Sequence, residues 1–356
     1  MSRRERALEL AAGRTLVTGD PASVAWLTGF APDIEWGPTP FAVPAVAILE
    51  PGGRVRAVVS EDEAPGLAGD VDALTYPGFA VEDIDRRRAS LDVVLAALPA
   101  GPLALELSSL PGTLARAVGA RDLVEIDLQS ARAVKDPDEI EAIRAALRVA
   151  DVGQAAARAG FRAGATELEL WGETRAAIEA AAGGRTPVLA DFVTGPRTAE
   201  VGGPPSDRLV GLDDLLLVDL VPRVGAYWAD SCATVALGEP PEPVRHAHAA
   251  ALEALEAAKA AVRPGATAGE VDRAARSVVE AGGGSYPHHT GHGLGLTLHE
   301  EPRIVPGSER TLETGMVIAL EPGAYGDGWG LRTEQVVLVT DDGHELLSRH
   351  DLALRT

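Results

Sequence analysis

The chain has 356 residues, 46% of them hydrophobic, and a formal net charge of −21. That length exceeds what one hydrophobic core usually serves, so two domains are expected. The acidic balance repels phosphate at long range and argues against a nucleic-acid or anionic-membrane binder. The opening MSRRERALELAAGR is charged and lacks the apolar core of a signal peptide. No run of about 18 apolar residues is present to span a bilayer, so a cytoplasmic protein is expected. A single cysteine, Cys232, rules out an intrachain disulfide. It lies in the stretch 227–237 with no basic partner in view, and reads as a packed, inert thiol.

Residues 1–132 read as an α/β domain, with strands at 14–18, 43–49, 55–59, 102–107 and 123–126 and helices at 21–27 and 84–98. Punctuation such as Pro51-Gly52-Gly53 marks the turns. The segment Asp136-Pro137-Asp138-Glu139 then announces a long helix: Asp136 suits the N-cap, Pro137 the first turn, and Glu139 can reach back three residues. Ile140, Ile143, Leu147 and Ala150 continue it as an apolar stripe. The domain boundary is placed just before this helix, with Lys135 read as a solvated charge at the junction.

The second domain, 133–356, carries helical patterns at 137–160, 166–182, 242–263 and 268–281, the third ended by Arg263-Pro264-Gly265. Strands follow LLLVDLV, YWADSCATVAL, GMVIALEP and LRTEQVVLVT. A pair of helices followed by a hairpin occurs twice, which predicts a duplicated unit whose halves face a central site.

Each hairpin carries two acids. A turn centred between Val224 and Gly225 sets Asp219 opposite Asp230, and one centred between Asp327 and Gly328 sets Glu321 opposite Glu334. Directly opposed residues share a face with Cβ atoms about 5 Å apart. Two such pairs repel unless a positive charge lies among them. Asp219 also ends the apolar run 215–218, where an unpaired carboxylate costs several kcal/mol.

Between the hairpins, the loop 287–300 (PHHTGHGLGLTLHE) holds four of the eight histidines, among glycines that let backbone approach a ligand closely. Its Gly-x-Gly-x-Gly run lacks the strand–turn–helix setting of a dinucleotide site. His299-Glu300 is followed at 303 by arginine, so the helical zinc-protease motif is absent. Asp219, Asp230, His292, Glu321 and Glu334 remain as a metal-ligand set of four carboxylates and one imidazole. An oxygen-rich set of this kind suits harder divalent ions, Mn²⁺ in particular. Its charge suffices for two ions, which at a separation of about 3.5–4 Å can share a bridging hydroxide as nucleophile.

These residues resemble the pita-bread metallopeptidases of family M24: methionine aminopeptidase, aminopeptidase P, prolidase and their relative creatinase. The matching pieces are Asp219 with Asp230, TGHGLGLTLHEEP at 290–302, GMVIALEPGAY at 315–325 and RTEQVVLVTDDG at 332–343. WLTGF at 26–30 matches the entry motif of the creatinase/prolidase-type N-terminal domain and favours the prolidase and aminopeptidase P branch. The resemblance implies an α/β (α+β) protein: a creatinase-like N-terminal domain at 1–132, then a catalytic pita-bread domain at 133–356 with pseudo-twofold helix–hairpin halves.

The resemblance further implies that Asp219 chelates one metal, that Asp230 and Glu334 bridge both, and that His292 and Glu321 complete the second, with Glu321 also shuttling a proton. It makes His299 the stabiliser of the tetrahedral intermediate, His288 a pocket residue and Arg332 the orienting group of the glutamate pair. His289 receives a structural or rim role. Two divalent ions are implied, Mn²⁺ foremost and Co²⁺, Zn²⁺ or Fe²⁺ as alternatives, in a homodimer acting on a peptide or small amide. The segment 33–38 (DIEWGP) is a candidate to reach toward a site.

One departure stands out. The family's peptidases and creatinase carry a histidine upstream of the aspartate hairpin, at a position that falls here on Gly202. Arg197 and Glu200 are the nearby polar residues that could stand in. Three readings follow: an Xaa-Pro dipeptidase or aminopeptidase, a creatinase-like hydrolase of a small non-peptide C–N bond, and a non-catalytic binding protein on the same scaffold. The complete ligand set favours the first, and Gly202 favours the second.

Overall fold

The structure, a computed structural model, describes residues 1–31, 43–82, 84–119 and 121–355. The segment 33–38 lies outside the described residues. The chain divides into two compact units, Met1–Arg132 and Ala133–Thr356.

The first unit contains α1 (Arg3–Ala11), β1 (Thr15–Thr18), α2 (Pro21–Thr28), β2 (Val46–Leu49), β3 (Val55–Ser60), β4 (Asp72–Tyr76), α3 (Arg87–Ala97), β5 (Leu103–Leu105), α4 (Gly112–Val118), β6 (Leu123–Glu125) and α5 (Gln129–Arg132). Its six strands form one mixed sheet in the order β4-β3-β2-β1-β5-β6. Leu16, Val17, Ile48, Val58 and Leu103 are fully buried in it. Four elements are absent from the sequence expectation, the four-residue α5 among them. Helix α1 starts at a capping box between Ser2 and Glu5 inside what reads as a merely charged leader. Strand β4 is mostly exposed and shows no alternation, and α4 spans a single short stretch. Helix α3 begins three residues later than its apolar pattern implies, at Arg87 rather than at 84.

The second unit contains α6 (Pro137–Gly160), α7 (Glu167–Ala182), β7 (Val188–Thr194), β8 (Leu215–Val224), β9 (Tyr227–Trp228) and β10 (Ser231–Ala236) in its first half. The second half follows with α8 (Glu242–Ala261), α9 (Ala268–Ala281), β11 (Gly291–Gly293), β12 (Glu300–Ile304), β13 (Val317–Leu320), β14 (Gly323–Gly326), β15 (Trp329–Arg332), β16 (Gln335–Thr340) and β17 (Gly343–Leu346). Each half pairs two helices with one antiparallel sheet, β10-β8-β7 in the first and β12-β11-β13-β16-β17 in the second. Separate clusters fill them, one around Leu170, Ile178, Phe192 and Leu216, the other around Leu255, Val271, Ile318 and Val337.

The duplication reaches into local chemistry. The pattern Arg-x-Gly-Ala-Thr occurs at 162–166 and again at 263–267. In each half its threonine opens the second helix through a capping box, Thr166 with Glu169 and Thr267 with Glu270. In each half the threonine also makes a lone antiparallel bridge, to Leu209 or to Thr311. Helix α6 starts as the sequence predicts, from an Asp136–Glu139 capping box.

Lys135 is not a solvated charge. Its side chain is 1% exposed and its Nζ lies 2.7 Å from Glu300 Oε2, itself fully buried. Glu300 Oε1 accepts the Thr297 N–H at 3.0 Å, so this pair pins the turn that ends in His299. Removing one partner of a buried ion pair typically costs about 3–5 kcal/mol. Lys135→Met should therefore lower the unfolding free energy obtained from urea denaturation by an amount of that order. A loss of less than about 1 kcal/mol, the value of a surface pair, would show that the bond is not made in solution.

Candidate metal centre

The glutamate hairpin has the register expected from sequence. Leu320 pairs with Gln335 on one side of the acids and Gly323 with Arg332 on the other, so Glu321 and Glu334 face each other across an unbroken register. The Thr333 N–H donates to the Pro322 carbonyl between them.

The aspartate hairpin differs. Val224 pairs with Tyr227, so the turn is Gly225-Ala226, and Asp219 lies opposite Cys232 rather than Asp230. Gly225 has φ +61° and takes the first central position of a two-residue turn, which shifts the partner by two residues. A shift of two keeps the same sheet face. Asp230 thus stays on the side of Asp219, one diagonal step away.

Strand β11 brings His292 between the hairpins, paired with Ala319 on β13 and Arg303 on β12. Its flanking glycines serve the sheet rather than a ligand. A Cβ at Gly291 would lie 2.0 Å from the Ala319 carbonyl oxygen, and one at Gly293 would lie 2.2 Å from that of Glu301. The loop is also held from α9: Arg276 Nη2 donates to the His288 carbonyl at 2.6 Å, and Thr290 donates to Asp272 at 2.6 Å.

All five expected ligands converge. His292 Nδ1 lies 2.9 Å from the Gly293 carbonyl, which fixes the N–H on that nitrogen and leaves Nε2 as an acceptor. Nε2 points at Asp230 Oδ2 (3.4 Å) and Glu321 Oε1 (3.5 Å). One ligand atom from each of Asp230, His292 and Glu334 lies within 4.8 Å of the others. Asp219 Oδ1, Asp230 Oδ1 and Glu334 Oε1 are buried without a hydrogen-bond partner. Native proteins rarely leave such atoms unsatisfied, and an ion is a standard reason. The donor set therefore fits divalent cations.

Burial pushes the carboxyls of Asp219 and Glu334 well up, and the neighbouring acids add to it. Burial, with the charge of Glu321, pushes Asp230 up to about 8. Glu321 goes the other way: its burial is outweighed by the hydrogen bond from His289 and the charge of Arg332, which hold it at about 2.

Arg332 is placed differently from its expected role. It donates from Nη2 to Asp219 and, at 3.1 Å, to Asp191 Oδ2, while Nη1 donates to the Val201 carbonyl. Its Nε stays 3.6 Å from Glu321 Oε2. It serves the aspartate side more closely than the glutamate pair.

His299 stacks edge-on against His292 at 4.2 Å between ring centres, and burial holds its imidazole at about 4. His288 lies within 3.1 Å of the Tyr325 hydroxyl and is likewise pushed down to about 4 by burial. Both are neutral at pH 7.

His289 is no rim residue. Its Nε2 is 2.7 Å from Glu321 Oε1, and Arg303 Nη2 lies 2.8 Å from its Nδ1. The arginine can only donate, so Nδ1 accepts and Nε2 carries the proton toward Glu321. Arg303 was visible in the sequence only as a residue that broke another motif. Asp191 had no signal, because β7 was not recognised.

A cavity of about 350 Å³ opens onto this cluster, lined by His288, His289, His299, Asp191, Leu189 and Leu298 among others. Cys232 lies beneath it, fully buried, and burial raises its thiol well above the ordinary value.

The profile of metallopeptidase family M24 matches residues 141–341. The chain belongs to that family. It is 38% identical over 262 residues to the probable dipeptidase PepE of Mycobacterium tuberculosis, covering 70% of this chain and 69% of the relative. The dipeptidase PepE structure from Mycobacterium ulcerans superposes with a TM-score of 0.77 at 29% identity, covering 99% of this chain and 96% of that one. A prolidase from Pyrococcus furiosus gives 0.80 at 25% identity, covering 96% and 97%. The mixed α/β architecture is that of the pita-bread M24 enzymes. Among the described residues, no helix is long and apolar enough to cross a membrane.

The sign of the pH dependence follows from the site. His288 and His299, lowered to about 4, stabilise the fold above their ordinary value of 6.5, and that contribution is lost as pH falls toward 4. Asp230 acts oppositely: its penalty is absent below 3.8 and grows until pH passes about 8. Between 6.5 and about 8 the acids dominate. Chelated protein should therefore lose thermal stability as pH rises across that window, and divalent metal should restore it while releasing protons. Calorimetry in buffers of different ionisation enthalpy reads the release. A metal-binding heat independent of the buffer would contradict the protonated carboxyls.

Proposed function

We propose that this chain is a dinuclear metallopeptidase of the Xaa-Pro type, a dipeptidase or aminopeptidase. The reading rests on one observation: Asp219, Asp230, Glu321 and Glu334 meet around His292 with three carboxylate oxygens buried and unpartnered. The 38% identity to a probable dipeptidase adds support. Asp219 would hold one ion, Asp230 and Glu334 would hold both, and His292 with Glu321 would complete the second. Mn²⁺ is the ion we expect, from the oxygen-rich donors. When bound, such ions polarise the scissile carbonyl and lower the pKa of an attacking water.

The chain's own residues supply the rest. Glu321, held ionised by His289, accepts the water's proton at a carboxylate oxygen and passes it toward the leaving amine. His299, neutral at pH 7, offers an imidazole N–H to the oxyanion. His288, fixed by Tyr325, lines the pocket where the substrate packs. Arg332 keeps Asp219 oriented. We further propose, from the family resemblance, a creatinase-type N-terminal domain, a homodimer and a cytoplasmic location.

A second reading, hydrolysis of a small non-peptide C–N bond, is favoured by Gly202, where the resemblance leads one to expect a catalytic histidine. A panel of Xaa-Pro dipeptides, longer Xaa-Pro peptides, small amides and cyclic ureas, run with Mn²⁺, Co²⁺ and Zn²⁺, separates the two. Turnover of Xaa-Pro substrates is the expected result. Silence on all of them with metal demonstrably bound removes the Xaa-Pro assignment.

Two variants test the roles. Asp230→Ala should abolish activity and metal loading together, as read by activity assay and elemental analysis. His299→Ala should cut turnover by roughly 10²-fold at unchanged metal content. A parallel fall in metal would make His299 a ligand instead.

A further inference from the structure

Strand β7 brings a fifth carboxylate to the pocket. Asp191 is the direct ladder partner of Asp219, so the two side chains leave the same face of the sheet. Arg332 lies between them and donates to both. Their exposures differ: the Asp191 side chain is 36% exposed, against 13% for Asp219 and 9% for Glu321. Asp191 is thus the most exposed of the acids that line the cavity. Beside it the lining adds the acids and Arg332 of the cluster, the imidazoles of His288 and His299 and the apolar Leu189 and Leu298.

The loop after β7 is shaped around this carboxylate. Val201 sits at φ +76°, a conformation that costs a β-branched residue energy, and its carbonyl accepts from Arg332 Nη1. A Cβ on Gly202 would lie 2.0 Å from Asp191 Oδ2. A side chain at 202 and a carboxylate at 191 cannot occupy that space together.

We propose that Asp191 is a specificity-determining residue of this pocket, receiving a cationic or amide N–H group of the substrate and rejecting a free carboxylate. The proposal rests on the reading of this pocket as a hydrolase site. Its physical basis is that the most exposed carboxylate of the lining, whose partner Arg332 is shared with Asp219, discriminates by sign, through attraction to one ligand and repulsion of the other. Preferred substrates then present an ammonium, a guanidinium or a blocked terminus to β7. Gly202 is what makes the arrangement possible.

The test uses three forms of one Xaa-Pro substrate: the free acid, its primary amide and its aminoethylamide, assayed with the manganese-loaded protein. The amide and the cation should be preferred over the acid, and Asp191→Asn should shrink that preference by roughly tenfold, mainly through KM. Asparagine keeps an oxygen for Arg332, and metal content is measured alongside. Gly202→Ala, which displaces the carboxylate without removing it, should shrink the preference too. Calorimetric binding of prolinamide and of proline gives the same comparison without turnover. If no substrate is cleaved but prolinamide binds more tightly, and Asp191→Asn erases the difference, the hydrolase reading fails and the role of Asp191 stands. An acid-preferring wild type, or a preference that Asp191→Asn leaves intact in both assays, overturns it.

Discussion

Four carboxylates, three of them buried, converge on one imidazole, and their mutual repulsion is the constraint around which the second unit is organised. Arg332 is the guanidinium that neutralises part of this charge, and it is already divided between Asp219 and Asp191. Burial raises three of the acids, and an apolar filling would be more stable than such a cluster left to itself. The fold therefore stores an electrostatic debt that a divalent cation discharges. Stability and function are linked in the proposed site, because the groups that weaken the metal-free protein are those that would bind the metal.

The scaffold answers that demand by duplication. Each half places two acids on a hairpin beside a pair of helices, and each fixes its second helix with the same short Arg-x-Gly-Ala-Thr signal. The histidine loop belongs to the second half alone. It is tied to α9 through Arg276 and Asp272 and to the start of the unit through Lys135 and Glu300. Rigid attachment at both ends keeps His292 aimed between the hairpins, which a free glycine-rich loop could not do.

Much of this was legible in the chain because local rules and burial agreed. The glutamate hairpin was placed in register since an apolar strand, a glycine-bounded turn and a second apolar strand left one consistent pairing. The aspartate hairpin was read one step off because Gly225 could take either end of its turn, and only the structure shows that it takes the first position. Strand β7 carries no such signal: Leu189 is exposed and the burial along the strand does not alternate, so neither period marks it. With it went Asp191. The role of His289 was also beyond reach, since it depends on Arg303 arriving from the neighbouring strand. Lys135 was misread because a lone lysine is ordinarily solvated, and its buried partner lies 165 residues away.

Position 202 carries a wider consequence. While a carboxylate fills the space beside it, any residue larger than glycine must push that side chain aside, so an imidazole placed there displaces Asp191 in the same step. That displacement loosens one of the holds on Arg332. Positions 191 and 202 are thus coupled, and a replacement at either is felt at the guanidinium that Asp191 helps to hold.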